Sequence, residues 1–182
     1  MICNGIDTDQ LAAFGEMVTS GPDAGIISAR VRTRWEERYH TSVTAEGFDL
    51  AGDRIPRSVT LPVDRPQALG GTDRGPAPGE LVLAALGSCV AQTFIEAAAM
   101  TSTQVDRLEI SVEGHLDLRG NAGVEGVRPG LSRIHLDVEV DADADDDVLD
   151  GLLADAVRRS PVADSLAAGV HVIASVRQPH VA

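Results

Sequence analysis

A chain of 182 residues with 43% hydrophobic side chains is long enough for one well-filled core, so a single domain is the first expectation. Its 28 acidic residues outnumber 15 basic ones, and the formal net charge of −13 excludes the concentrated basic surface that nucleic acid or an anionic membrane requires. Aromatic residues make up only 3%, so the core must be built from Ala, Val, Leu and Ile.

The first ten residues, MICNGIDTDQ, hold no basic region followed by an apolar core and a small-residue cleavage site. A cytoplasmic location is therefore expected. There Cys3 and Cys89 stay reduced, and two cysteines do not make a disulfide framework. Residues 1–27 read as a helical arm ahead of a core over 28–182. Within the arm, 7–18 is a short helix with Asp7 or Thr8 as cap, an apolar side of Leu11, Ala12, Phe14, Met17 and Val18, and a stop at Ser20-Gly21-Pro22. Over 28–36, Ala29, Val31, Thr33 and Trp35 alternate with Arg30, Arg32, Arg34 and Glu36, the period of a strand with one wet face. Residues 39–45 alternate again, which places a hairpin turn at 36–38. A third strand over 58–63, after a polar patch around Asp53, completes an antiparallel meander.

Residues 64–78, with Pro66, Pro76, Pro78 and the Gly70-Gly71 pair, form an irregular loop. It leads into 75–100, GPAPGELVLAALGSCVAQTFIEAAAM. Pro78 suits the first helical position and Glu80 the first turn, where a carboxylate complements the helix dipole. Leu81 to Leu86, Val90, Ala91, Phe94 and Ile95 are apolar around the whole circumference, the pattern of a central helix enclosed by protein. Ser88, Cys89, Gln92 and Thr93 interrupt the run before it reaches the roughly 18 residues a bilayer span needs.

Two long strands follow, 105–118 and 131–141, joined by the Gly-rich segment 120–130. The acidic run 141–147 places negative charge at the start of a helix over 146–159, which ends in Arg158 and Arg159 as the dipole prefers. Ser160 then reads as an N-cap with Pro161 at the first helical position, Gly169 closes that helix, and 170–176 is a last strand. Strands gathered into runs around separate helical sections give an α+β class.

Chemistry centres on Cys89, one thiol in the middle of the central helix after the small residues Gly87 and Ser88. On spacing alone it is equally a small buried hydrophobe, since free cysteine is among the most enclosed residue types. The approach Leu69-Gly70-Gly71, a proline followed by an acidic residue, the small-and-Leu run and Gly87-Ser88-Cys89 resemble the first cysteine helix of the OsmC/Ohr family of bacterial organic hydroperoxide reductases. The likeness extends over roughly residues 31–176 and includes the step Ser160-Pro161-Val162. It implies antiparallel sheets wrapped around a long central helix in an intertwined homodimer, with the cysteine site at the subunit boundary.

The resemblance also implies a thiol-dependent peroxidase, acting on organic hydroperoxides or hydrogen peroxide through Cys89 in oxidative-stress defence. A thiol attacks a peroxide as thiolate, and attack leaves a sulfenic acid. The family's second cysteine lies in a Cys-Pro-Val step, where this chain has Ser160. A one-cysteine variant recycled by an external thiol reductant is therefore expected; Cys3 is the only other thiol. In the family an arginine from the amino-terminal strands contacts the cysteine, held by a glutamate near the start of the central helix. Arg38 is the positional match, with Arg65 and Arg74 as rivals.

Glu80 matches the second of two acidic positions after the proline, and the first is Gly79. Glu80 lies nine residues before Cys89, on roughly the opposite side of a helix, whereas Glu96, seven residues on, is nearer the thiol's face. Ser160 and Gln92 are the candidate substrate-contacting residues. The alternative is an OsmC-like protein without peroxidase turnover that binds a small apolar or thiol ligand in the same cleft. His40, His115, His135, His171 and His180 lack zinc-site spacing, and no cofactor motif is present.

Overall fold

The structure, a computed structural model, describes residues 1–175. The chain begins with a hairpin of two short strands, β1 (Ile2–Cys3) and β2 (Ile6–Asp7), turning at Asn4 and Gly5, both at positive φ. Strands of two residues leave no alternation to read in the sequence. The hairpin docks far along the chain: Asn4 Nδ2 donates to the Thr103 carbonyl at 2.9 Å, and the Val105 N–H donates to Asn4 Oδ1 at 2.9 Å. Helix α1 (Thr8–Thr19) follows, capped by Asp7, whose carboxylate accepts the N–H groups of Asp9 and Gln10. None of its residues is buried.

Strands β3 (Ile27–Glu37), β4 (His40–Leu50) and β5 (Asp53–Val63) form the meander, in that spatial order and antiparallel throughout. The first turn falls on Arg38 and Tyr39 rather than on 36–38, because Glu37 still pairs with His40. The third strand starts at Asp53, five residues before its expected start, after a tight turn in which Ala51 and Gly52 both take positive φ. That backbone matches the twist of the flanking strands. A bulge between Ala45 and Gly47 needs a glycine, since Gly47 sits at φ +100 and a Cβ there would lie 2.3 Å from the Ile55 carbonyl oxygen.

One face of the meander carries cross-strand rows of Ala29, Phe48 and Ile55, then Val31, Ala45 and Val59, then Thr33, Val43 and Leu61. The other carries Arg30 paired to Asp49 at 2.8 Å, the Arg32–Glu46 pair, and Thr44 against Thr60 at 2.8 Å. Among the described residues nothing forms a second layer over the apolar face: Val31 is 61% exposed and Trp35 69%.

The loop from Asp64 to Ala77 contains a short 3-10 turn, Gln67–Leu69, where irregular chain is expected. Helix α2 (Pro78–Met100) begins with Pro78 at its first position. The Glu80 carboxylate accepts the Ala77 N–H at 2.7 Å, half of a capping box that alanine, lacking a side-chain acceptor, does not complete.

Beyond α2 come β6 (Val105–His115), the single turn α3 (Leu118–Asn121), β7 (Arg133–Ala142), α4 (Asp146–Arg159) and α5 (Pro161–Ala168). The β6–β7 hairpin lays Leu108, Ile110, Val112, Ile134, Leu136 and Val140 against a core of Leu86, Val90, Phe94, Ala97, Ala98, Leu152 and Ala156. Gly87 lets helix and strand approach closely, as a Cβ there would lie 3.0 Å from a Val112 methyl.

Three expectations change. Strand β6 stops at His115, not 118, because Asp117 turns the chain by capping α3 through the Arg119 N–H at 2.9 Å. Residues 170–175 form no strand despite their alternation, since none of the described strands pairs with them; Val176 lies outside the described residues. Finally, α2 is not enclosed by its own chain. Val82, Ala85, Ser88, Gln92 and Glu96 are exposed, and of the two larger sheets only β6–β7 packs on it. By length and hydropathy α2 could cross a membrane, yet its Val90 and Phe94 side is buried by amphipathic elements of its own chain. The architecture is α+β, with antiparallel sheets and one long helix, and the core sits between α2, the β6–β7 hairpin and α4–α5.

Candidate functional site

Cys89 lies in the middle of α2 and is half-buried. Val82, Ala85, Cys89, Gln92 and Glu96 recur every three or four residues, so they form one stripe along the helix. The stripe is rotated away from the Leu86, Val90, Phe94 and Ala97 side that enters the core. Gln92 and Glu96 line a groove of 510 Å³ with Ile6, Ile95 and Leu108. The helix supplies the rigid element, while the open stripe supplies access.

The three arginines proposed as partners of the thiol gather at one junction between the first hairpin tip and the loop before α2. Arg38 donates to the Gly70 carbonyl at 3.2 Å, Arg65 stacks over the Tyr39 ring at 4.3 Å, and Arg74 pairs with Glu37 at 2.6 Å. Asp64, fully buried, organises that loop by accepting the N–H groups of Arg65 at 2.8 Å, Thr72 at 3.0 Å and Arg74 at 3.4 Å, together with the Thr72 hydroxyl at 2.5 Å. The Thr72 hydroxyl most of all, and then the three N–H groups, hold its carboxyl down at about 2 against the opposing effect of burial. Sequence reasoning missed Asp64 and Thr72. The signal available was an acidic residue at the end of a strand, opening a Gly/Pro-rich loop with a hydroxyl eight residues on.

Arg65 and Glu80 line a cavity of 550 Å³ with Leu69, Leu83, Leu116 and Leu131. Cys89 is not part of its wall. Within one chain, then, Arg65 and Glu80 line the same cavity, and Cys89 does not. Ser160 is fully buried, and its hydroxyl oxygen accepts the Ala163 N–H at 3.1 Å, so it caps α5 as its position implies. Cys3 is buried with its sulfur 3.7 Å from the Thr103 carbonyl oxygen. His180 lies outside the described residues. Among the described residues, no three His, Cys, Asp or Glu side chains converge as a metal would need.

Residues 71–175 match the family described as OsmC-like protein. No curated protein matches the sequence. Among solved structures, the chain is similar to an OsmC-like protein from Mycoplasma pneumoniae, at 18% identity and a TM-score of 0.60, over 78% of this chain and 89% of the other. It is also similar to the organic hydroperoxide resistance protein OsmC from Legionella pneumophila, at 15% identity and a TM-score of 0.54, over 76% and 88%. At such identities the likeness is one of fold, and it agrees with the family match that covers more than half of the sequence: this chain belongs to the OsmC-like protein family.

Proposed function

We propose that this chain is a cytoplasmic, homodimeric thiol peroxidase that reduces organic hydroperoxides, or hydrogen peroxide, at Cys89 in oxidative-stress defence. The observation that carries the reading is the place of Cys89 on the one stripe of α2 that its own chain leaves open. The same open stripe and the bare apolar face of the meander support a second copy as the cover. In such a dimer the arginine junction and Glu80 of one protomer serve the cysteine of the other, with Gln92 beside the thiol on the substrate side. The hydroperoxide resistance protein among the similar folds supports the substrate class.

The chemistry balances in two stages. The Cys89 thiolate attacks the outer peroxide oxygen, the O–O bond breaks, and the departing alkoxide takes a proton to leave as an alcohol, with sulfenic acid on Cys89. Ser160 cannot resolve that acid, because a hydroxyl forms no disulfide and its oxygen is engaged in capping α5. One external thiol therefore condenses with the sulfenic acid and releases water. A second thiol reduces the mixed disulfide, restoring Cys89.

A second reading, an OsmC-like binder without turnover, is favoured by two observations. Glu80 is committed to the Ala77 N–H, and the cavity that holds it excludes Cys89 of the same chain. Steady-state consumption of an alkyl hydroperoxide with dithiothreitol as donor separates the readings. The peroxidase loses turnover in Cys89→Ser, whereas equal turnover in that variant removes Cys89 from the chemistry.

A further inference from the structure

The arm ahead of the meander holds an apolar surface that nothing covers among the described residues. In α1, Leu11, Phe14 and Val18 recur at spacings of three and four with Met17 beside them, while Asp9 and Glu16 fall on the opposite side of the helix. Phe14 is 50% exposed and Met17 37%. The whole chain has three Phe, one Trp and one Tyr, so a Phe on an exposed helix is a scarce residue in a place that suits contact with another protein surface. The helix has no lysine or arginine, and so lacks the basic side that holds an amphipathic helix on an anionic membrane.

The arm is also fixed where it starts. Asn4 ties the hairpin before it to Thr103 and Val105. Ile6, two residues before α1, then joins Ala91, Gln92, Ile95, Glu96 and Leu108 in the wall of the 510 Å³ groove on the open stripe of α2. Ile6, Ala91, Ile95 and Leu108 make that groove mainly apolar. No residue of α1 lines it, and α1 packs chiefly on β2. The helix thus begins at the edge of the groove and leaves it unfilled. A bare apolar helix side and an unfilled apolar groove, next to each other on one surface, are self-complementary under a two-fold axis, which sets the helix of each copy in the groove of the other. The family match covers residues 71–175 and does not account for this arm.

We propose that α1 is a dimer arm. Its Leu11, Phe14 and Val18 side lies in the groove of a second copy, with Phe14 against Ile95 and Leu108. The inference rests on the dimeric reading given above and adds a contact to it. Gln92 is three residues beyond Cys89 on the same stripe, so the arm of one copy forms a wall beside the thiol of the other.

Sedimentation equilibrium of the whole protein tests the arm, with far-UV circular dichroism as the check on folding. Wild type should be a dimer. Phe14→Glu should keep the helix content of wild type and raise the dimer dissociation constant at least about tenfold, as loss of an interface aromatic does. Glu16→Gln, on the other side of α1, should change it by no more than about twofold. A mixture of Met17→Cys and Glu96→Cys chains, both also carrying Cys89→Ser, should give on oxidation a covalent dimer with one chain of each kind. An unchanged dissociation constant in Phe14→Glu overturns the proposal and leaves the dimeric reading standing, as does a disulfide that forms within a chain carrying both new cysteines and never between chains. A wild type that is monomeric at every concentration overturns both.

Discussion

Asp64 accepts the hydroxyl of Thr72 at 2.5 Å, and that bond closes the loop whose two ends carry Arg65 and Arg74. Its consequence is measurable in acid. The folded carboxyl is held at about 2, below the roughly 3.9 of an unfolded aspartate. Its stabilising contribution is therefore complete above about pH 4 and is lost as pH falls toward about 2. Asp64→Asn should unfold at lower urea with an unchanged m-value at pH 7. The gap between wild type and variant should narrow from about pH 4 downward. A gap constant down to about pH 2 would contradict this account of the loop.

Phe94 is fully buried in the middle of the core, where α2 meets the rest of the domain. Phe94→Ala should cost about 3 to 5 kcal/mol by lost burial and the cavity left behind. Chemical denaturation followed by far-UV circular dichroism measures it, and a cost below about 1 kcal/mol would place the core elsewhere.

Ser160 is expected to act through its oxygen alone. Ser160→Ala leaves the Ala163 N–H without its cap and should destabilise by about 1 kcal/mol. Thiol-dependent peroxide turnover should persist, since the hydroxyl resolves no sulfenic acid. Loss of turnover in a variant still folded at the assay temperature would give Ser160 a part in the chemistry.

Val31 lies on the edge strand β3, in the middle row of the bare meander face. Val31→Glu should leave the stability of an isolated chain within about 0.5 kcal/mol, as for most surface changes. It should convert the proposed dimer to monomer on size-exclusion chromatography with light scattering. A dimer that survives the charge would show that another face joins the copies.

What could be read in advance was what the residues announce locally. The acidic start and Arg158-Arg159 end of α4, and the Ser160-Pro161 start of α5, carry their own signals, and both helices begin where those signals fall. The turns at Arg38 and Ala51 hide because neither residue is a glycine, although both adopt positive φ. Residues 170–175 show that alternation states which faces a strand would have and says nothing about whether an edge is there to pair. The arginine junction was legible only as three rivals. Its assembly depends on Asp64 and Tyr39, contacts that no spacing encodes. The apolar circumference of α2 spoke of a fully covered helix, and the single chain covers one side.

The most direct test of the central claim is the intact mass of the protein after one equivalent of an alkyl hydroperoxide, without added thiol. A reactive Cys89 gains one oxygen, the gain maps to the peptide containing Cys89, and it disappears on adding dithiothreitol. An unchanged mass for Cys89, with the hydroperoxide still present in solution, would contradict the peroxidase reading.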